Sequence, residues 1–199
     1  MKKTHFTALF VLACFGTAIC QKEETLASSS RVKGGFGSPF FTFSQASEEN
    51  GVGAGIGGAF IVNDFFIGAA TQGESFGLRR YQGRDYNLAL TYGGFWLGYA
   101  YPSHKLVHLF TSMKVGWGDA ALIQSKHEPF DPNTIRDNVF VLSPEIGAEV
   151  NLLHWFRLCL TVGYRSVNGV NTLPTVNRSD FNGATFGITM RFGGFGYSK

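Results

Sequence analysis

The final part of the chain alternates between apolar and polar side chains with a period of two residues. Segments 155–166 and 183–192 share this alternation. Their apolar faces carry Leu158, Leu160, Val162, Phe186, Ile188, Met190 and Phe192, and their polar faces carry Arg157, Thr161, Arg165, Thr185, Thr189 and Arg191. A period of two predicts β-strands, because successive side chains of a strand point to opposite faces of its sheet. The face that meets water therefore decides what such a sheet can do.

The N-terminus has the pattern of a secretory signal peptide over residues 1–20. Lys2 and Lys3 form a basic start, residues 6–15 form a short apolar run, and small residues lead to Cys20. This order is typical of a cleaved export signal. Cleavage before Gln21 and cleavage after Ala18 both fit. Cleavage before Gln21 leaves one of the three cysteines, Cys159, and a single cysteine cannot form an internal disulfide.

Residues 21–34 are polar and aperiodic, and we expect a flexible leader there, followed by one domain over 35–199. The formal charge of +3 falls to +1 when Lys2 and Lys3 are subtracted, so no nucleic-acid partner is predicted. Charged residues make up only 16% of the chain. Soluble surfaces carry about 25–35% charged residues, which indicates that much of this surface does not face water.

Alternating segments separated by turns continue from residue 37 to the end, without helical periodicity. The predicted strands are 37–47, 51–62, 65–72, 86–101, 105–118, 139–151, 155–166 and 183–192. Eight strands with one apolar face predict an all-β fold, a closed antiparallel up-and-down transmembrane β-barrel.

The predicted connections differ in length from one end of this barrel to the other. Short ones fall at 63–64, 102–104 and 152–154, and long ones fall at 73–85, 119–138 and 167–182. In an up-and-down barrel the short connections then lie at one rim and the long connections at the other. Outer-membrane barrels have the same asymmetry, with short periplasmic turns and long external loops. The first connection, 48–50, is short for its side.

Aromatic residues recur at both ends of the predicted strands. The expected girdle consists of Phe65, Tyr99, Tyr101, Trp117, Trp155, Phe156, Tyr164 and Phe192. Aromatic rings favour the interface between headgroups and hydrocarbon, so two such belts indicate a barrel that crosses a bilayer.

The opposite faces of the strands must then fill a narrow lumen. Glycines on one face of 51–57 leave room for larger side chains across the barrel. The inward charged residues are Lys114, Glu145, Glu149, Arg157, Arg165 and Arg191. Because unpaired buried charges are costly, we expect a salt-bridge network that plugs the lumen and pairs Glu149 with Arg157. Leu88, Leu90 and Trp96 would also face inward, for which a bulge in the fourth strand is one explanation.

The segments PEIGAEVNLLHWFRLCLTVGYR and FGITMRFGGF, with nearly all of the sequence after the leader, resemble small outer-membrane β-barrel proteins of the OmpA/OmpX-like kind. The resemblance implies a place in the cell outer membrane and the barrel-assembly machinery as a partner. It also implies that an aromatic residue near the C-terminus, either Phe192 or Phe195, is part of the signal which that machinery reads.

These observations favour a non-enzymatic outer-membrane protein, monomeric and surrounded by membrane lipid, whose external loops could contact a surface ligand. The loop residues are the Arg79, Arg80 and Arg84 cluster and segments 126–136 and 168–180. One alternative is a secreted lipocalin-like barrel for an apolar ligand, with Leu158, Leu160 and Val162 inside. Another is a membrane-embedded lipid hydrolase built on His108, Ser112 and either Glu145 or Glu149. The histidines lack ligand spacing, so no metal or other cofactor is predicted.

Overall fold

The computed structural model describes residues 32–46, 50–101, 105–124 and 134–196. The predicted signal peptide and most of the predicted leader lie outside the described residues. The strands are β1 (Val32–Ala46), β2 (Asn50–Val62), β3 (Phe65–Tyr81), β4 (Arg84–Tyr101), β5 (Val107–Gln124), β6 (Ile135–Leu153), β7 (Phe156–Asn168) and β8 (Gly183–Gly194), with a short 3₁₀ helix, η1 (Arg178–Asp180), before β8. Within the described ranges, no helix is long and apolar enough to cross a membrane.

The eight strands form a closed barrel in sequence order, in which every neighbouring pair is antiparallel and β1 pairs with β8. This confirms the predicted closed up-and-down architecture. Closure removes the free sheet edges that would otherwise pair with other chains. The first strand begins at Val32, five residues earlier than predicted and inside the range expected to be leader.

Glycines on the inner face of β2 make space for large side chains from other strands. A Cβ atom added to Gly55 would lie 2.4 Å from ring atoms of Phe40 on β1, and one added to Gly57 would lie 3.0 Å from the Trp96 ring on β4. Side chains at these positions would therefore displace two of the largest buried residues of the barrel. The glycine-rich pattern of β2 thus follows from the narrow lumen.

The long loop predicted at 73–85 is wrong, because β3 and β4 extend through it. Only Gln82 and Gly83 separate the two strands, with φ angles of 50° and 77°. Positive φ at both central residues is the geometry of a two-residue hairpin turn. The prediction failed because the outward residues of this extension, apart from Leu78, are small or polar, as at Arg80 and Asp85. The apolar alternation therefore stops before the strand does.

The bulge that we considered as one explanation in the fourth strand is absent, since β4 pairs with β5 in continuous register from Tyr86 to Tyr101. The irregularity lies in β3, between Ser75 and Leu78. Leu88 and Leu90 do face inward, and both are fully buried. They need no bulge because the end of the lumen near the long connections is itself apolar.

Candidate functional site

The lumen near the short turns is organised around the buried carboxylate of Glu149 on β6. Its Oε1 atom accepts hydrogen bonds from Arg157 Nη1 at 2.6 Å and lies 3.0 Å from His108 Nε2. Its Oε2 atom accepts from Arg191 Nη1 at 2.5 Å and from the Cys159 thiol at 3.1 Å. One carboxylate therefore holds groups from three other strands, β5, β7 and β8. Each of these side chains points into the lumen because side chains alternate between the two faces of its strand.

Aromatic faces surround the two guanidinium groups that bind Glu149. The central carbon of Arg191 lies 4.5 Å from the ring centre of Phe110 and 4.7 Å from that of Phe66. The corresponding carbon of Arg157 lies 3.7 Å from the centre of Phe195. Ring faces attract cations, so these contacts stabilise the buried charge in addition to the single carboxylate.

A second charged group occupies the middle of the lumen. Lys114 Nζ donates to Glu145 Oε1 at 2.6 Å, and Ser112 Oγ donates to the other carboxylate oxygen at 3.2 Å. The ammonium group also lies 4.4 Å from the ring centre of Phe40. Lys114 is only 6% exposed, so this pair fills the cross-section where it lies.

A third group lies nearer the long connections and centres on Glu74 of β3. Arg165 Nη1 donates to its Oε1 atom, Gln72 Nε2 donates to the same oxygen at 2.6 Å, and Ser44 Oγ donates to Oε2 at 2.9 Å. Sequence reasoning missed Glu74 because it placed this residue in a loop. The alternation of β3 continues through Gln72, Glu74 and Phe76, which is the signal that could have found it.

All six residues of the expected charge network therefore lie inside the barrel, but in three groups rather than one. Lys114 and Glu145 form one group, Glu149, Arg157 and Arg191 form another, and Arg165 belongs to the last, where it pairs with Glu74, which the sequence did not predict. These side chains fill the interior at successive levels along the barrel axis. Such an arrangement suits a rigid plug better than an open channel.

The lumen end near the long connections is closed by a segment that we call the cap segment, residues 169–182. Leu173, Val176 and Phe181 of this segment are buried in an apolar cluster that also contains the inward side chains of β4. The Phe181 ring packs edge-on against Phe76 with ring centres 5.4 Å apart. Segment 168–180, in which we expected loop residues that contact a surface ligand, therefore buries its apolar side chains inside the lumen.

Asp137 on β6 anchors the cap segment through one carboxylate. Its Oδ2 atom accepts backbone N–H bonds from Asn171, Thr172 and Leu173 at 2.7, 2.8 and 3.1 Å, and its Oδ1 atom accepts from the Thr172 hydroxyl. Asp137 lies three residues beyond the outward Phe140, in the part of the strand that projects past the apolar band. Burial alone would raise its pKa, but the bonds from Thr172, Asn171 and Leu173 hold the pKa below its usual range.

Two further contacts hold the other end of the cap segment. Arg79 Nη2 lies 3.6 Å from Asp180 Oδ1, and Arg165 Nε donates to the carbonyl oxygen of Phe181 at 3.0 Å. Arg79 therefore does not belong to the basic loop cluster that the sequence predicted. Arg80 lies 4.0 Å from Asp85 in a largely exposed pair, and Arg84 is exposed. Most of segment 126–136 lies outside the described residues.

The residues of the expected aromatic girdle all lie on the outward face. Near the short turns, Phe65 contacts Tyr99 with ring centres 4.7 Å apart. Phe156 and Phe192 stack at 4.9 Å. Tyr101 and Trp155 extend this belt, and Trp117 and Tyr164 lie toward the other rim, all four exposed by 45 to 63%.

The two aromatic residues of the expected assembly signal lie on opposite sides of the barrel wall. Phe192 is the last outward aromatic of β8 and is 39% exposed. Phe195 follows the strand and is buried, stacked on Phe36 with ring centres 6.1 Å apart. Only Phe192 is placed where another protein could reach its side chain in the closed barrel.

The geometry of the Ser/His/carboxylate set does not support nucleophilic catalysis. Both ring nitrogens of His108 already have oxygen partners, Glu149 at Nε2 and the Lys105 carbonyl at Nδ1, 3.2 Å away. Ser112 donates its proton to Glu145 instead. A nucleophilic serine needs a base within hydrogen-bond reach, and His108 has no free nitrogen to serve it. In the described parts of the chain, no three His, Cys, Asp or Glu residues converge as a metal site.

An eight-stranded antiparallel barrel that is apolar outside and charged inside has the architecture of the small transmembrane barrels. The crystal structure of Neisserial surface protein A, NspA, has this fold: it aligns with a TM-score of 0.58 at 12% identity, covering 80% of this chain and 95% of that one. At such an identity the likeness establishes the fold. No protein-family model and no curated protein matches the sequence.

Two other solved barrels align over similar lengths with lower scores. The N-terminal β-barrel domain of Pseudomonas aeruginosa OprF matches at 13% identity over 81% of this chain and 98% of that one, with a TM-score of 0.48. Ail, the attachment invasion locus protein of Yersinia pestis, in complex with the heparin analogue sucrose octasulfate, matches at 12% identity over 80% and 97%, with a TM-score of 0.49. These scores are too low to support an argument about this chain.

Proposed function

We propose that the chain is a non-enzymatic integral protein of the outer membrane, a plugged barrel that presents its outer rim to the surroundings. The observation that carries the proposal is the polarity of the wall, apolar outside and charged inside. Outward side chains at mid-strand are large and apolar; Ile56 is 66% exposed and Phe95 is 58% exposed. Soluble proteins rarely leave a continuous apolar surface of this extent in water. A bilayer is the solvent that suits it.

The same polarity argues against a soluble lipocalin-like carrier. That function requires Leu158, Leu160 and Val162 inside and Arg157 and Arg165 in water. The burial pattern is the reverse, with Leu160 47% exposed and Arg165 1% exposed. An apolar ligand would also have to displace the charged groups that fill the lumen.

The plugged lumen favours a structural or surface-presenting role over transport. Glu149, Lys114 and Arg165 occupy successive levels of the interior, and the cap segment covers one end. The parts left free to meet other molecules are the rim residues and the membrane-facing wall. The partners that we propose are membrane lipid along the wall, the barrel-assembly machinery during insertion, and a surface ligand at the outer rim, with the barrel as a monomer.

Gel mobility in detergent tests the proposal directly. The protein is extracted from membranes and compared with and without boiling, and we expect the unboiled band to migrate faster because the closed barrel stays compact. A protein that is soluble without detergent and shows no shift on boiling would overturn the proposal.

A matched pair of arginine substitutions tests which face meets lipid. Leu160→Arg places a charge on the outward face at mid-strand and should cost about 2–4 kcal/mol of folding free energy in lipid, whereas Gln45→Arg at the outer rim should cost about 0–1 kcal/mol. Urea unfolding in lipid vesicles measures both. Equal costs at the two positions would contradict a bilayer around the wall.

The absence of catalysis is tested with Ser112→Ala. We expect purified folded protein to show no lipid or ester hydrolysis that depends on Ser112, because this hydroxyl is bonded to Glu145. Hydrolysis that disappears in the variant would establish an enzyme and remove the structural proposal.

A further inference from the structure

The outward face of β5, β6 and β7 carries a compact polar and aromatic surface just beyond the apolar band. We call it the rim ledge, and its residues are Trp117, Asp119, Asn138, Phe140 and Asn168. Direct strand pairing places Trp117 beside Phe140 and Phe140 beside Asn168, while Asp119 lies beside Asn138 in the next row toward the rim. An aromatic row and a polar row are therefore adjacent on one face.

The rim ledge lines an open groove of about 660 Å³. Trp117 is 57% exposed, and its ring centre lies 5.6 Å from that of Phe140. Among the described residues, no protein group hydrogen-bonds to the side chains of Asp119 or Asn138. Within that part of the chain, the hydrogen-bonding capacity of these two side chains is unused and can serve a ligand.

This combination of groups fits a saccharide. The C–H face of a sugar ring packs on an aromatic side chain, and its hydroxyl groups donate to carboxylate and amide oxygens and accept from amide N–H groups. Asp119 is the only charged member of the rim ledge, and its negative charge disfavours a phosphate between the two rows. The exposed Arg136 lies one row further toward the rim, outside the rim ledge. A neutral sugar ring that bridges the two rows is therefore the best chemical match.

We infer that the rim ledge binds a saccharide unit of a glycolipid headgroup in the leaflet next to the long connections. The inference rests on the proposed membrane location. A lipid source is favoured because the groove opens on the outward wall, directly above the membrane-facing residues Val115 and Leu142 of the same strands. A sugar anchored in the leaflet lies at this height on the wall.

The test uses the full barrel, refolded in phosphatidylcholine nanodiscs with and without rough lipopolysaccharide, and a parallel titration with the soluble core oligosaccharide released from it. Trp155→Phe removes the exposed indole at the other rim, so that Trp117 fluorescence reports binding while Trp96 stays buried. Asn138→Leu removes a hydrogen-bonding group from the rim ledge, and Asn87→Leu is the matched control at an outward position of β4 outside the groove.

We expect titration of Trp117 fluorescence to give a dissociation constant for the glycolipid that is at least about tenfold lower than that for the free oligosaccharide. Asn138→Leu should weaken the response about tenfold, the loss expected for one or two hydrogen bonds, while Asn87→Leu leaves it unchanged. No response, or an equal loss in both variants, would overturn the site. Equal affinity for the free oligosaccharide would overturn the lipid source. Failure to insert in nanodiscs and to show heat-dependent mobility would instead refute the proposed function.

Discussion

Glu149 illustrates how much one residue decides in a narrow barrel. Its carboxylate accepts hydrogen bonds from two guanidinium groups and a thiol, and it lies beside an imidazole, so all of these contacts are to protein groups. Burying several charges together is stabilising only if each keeps its partners. The contribution of Glu149 is therefore measured by what its removal does to Arg157 and Arg191.

Glu149→Gln keeps the shape of the side chain and removes its charge. We expect the free energy of unfolding in detergent to fall by about 3–5 kcal/mol, because two buried guanidinium groups lose their counter-charge. The control is Asp85→Asn at the exposed β3–β4 turn, where the loss should stay below about 1 kcal/mol. Urea titration followed by gel mobility measures both variants. A change of less than about 1 kcal/mol in Glu149→Gln would show that the ring contacts alone hold the arginines.

Charge reversal distinguishes a carboxylate that two arginines share from one that pairs with a single lysine. Lys114→Glu with Glu145→Lys should recover most of the stability that each single substitution removes, because these two groups bind mainly each other. Glu149→Arg with Arg157→Glu should recover little, since the new arginine faces Arg191. Double-mutant cycles from unfolding measurements give both coupling energies. Equal recovery in the two pairs would contradict the grouping seen in the lumen.

Sequence reasoning found the orientation of these residues but not their partners. Period two places Arg157, Arg165 and Arg191 in the lumen whatever the strand register. Which carboxylate each one meets depends on strand stagger and side-chain length, which the alternation does not encode. The predicted pair of Glu149 with Arg157 is present, but Arg191 shares the same carboxylate and Arg165 binds Glu74 instead.

At the scale of elements, the cap segment is the part of the molecule that departs most from a simple hairpin barrel. Asp137 lies 34 to 36 residues before the three backbone amides that it binds. No local pattern connects positions so far apart, so the sequence could indicate only that a long connection exists. Burial of Leu173 and Phe181 then closes the end of the lumen that the inward leucines of β4 make apolar.

Asp137→Ala should release the cap segment while the strands remain paired. We expect trypsin to cleave after the exposed Arg178 at least about tenfold faster in the folded variant, because four hydrogen bonds to the segment are lost. Mass spectrometry of the fragments measures the cleavage rate, and Asp85→Ala is the matched control. An unchanged rate with unchanged heat-dependent mobility would show that apolar packing alone holds the segment.

Acid should loosen the same contact in the unmodified protein. A carboxyl group whose pKa is lowered in the folded state stabilises that state above its unfolded pKa of about 3.9, and this stabilisation is lost as pH falls through the folded value. The amides of Asn171, Thr172 and Leu173 should thus stay protected from hydrogen exchange at neutral pH. They should lose protection below about pH 3.9, after correction for intrinsic rates. Protection in Asp137→Asn should lack this pH dependence.

Strand ends are the second feature that the sequence could not define. Apolar alternation stops near Gln72, where we placed the end of the third strand, but hydrogen bonding to β4 continues to Tyr81. Beyond the apolar band both faces of a strand can be polar, because the outer one meets water and headgroups. Hydrophobic periodicity therefore measures the width of the apolar band and underestimates the length of the strand.

At the scale of the whole molecule, one seam joins the first strand of the barrel to the last. Pro39 has no N–H group to give to β8, and the nearby Ser38 hydroxyl donates to the Met190 carbonyl at 2.8 Å. Residues Gly35 to Ala46 of β1 otherwise pair with β8 almost continuously. Closure of the barrel therefore requires β8 to be in place, which makes the last strand the natural point of control for assembly.

The position of the two C-terminal aromatics leads to a prediction about that assembly. Phe192 faces outward beside Phe156 and Trp155, whereas Phe195 lies inside against Phe36. If the assembly machinery reads an outward aromatic of the last strand, Phe192→Ala should abolish most of the acceleration that the machinery gives. Phe195→Ala should keep the acceleration and lower folded stability by about 3 kcal/mol, the cost of truncating a buried phenylalanine.

Folding rates in liposomes with and without the purified machinery measure the two effects separately. The ratio of assisted to unassisted rate reports recognition, and urea unfolding reports stability. Phe186→Ala is the matched control, since Phe186 faces outward on the same strand but near its other end. Loss of acceleration in Phe195→Ala alone would mean that the machinery recognises β8 before its side chains are sorted between the lumen and the outer wall. Equal loss in Phe186→Ala would mean that the apolar face of β8 as a whole is read, not its final aromatic.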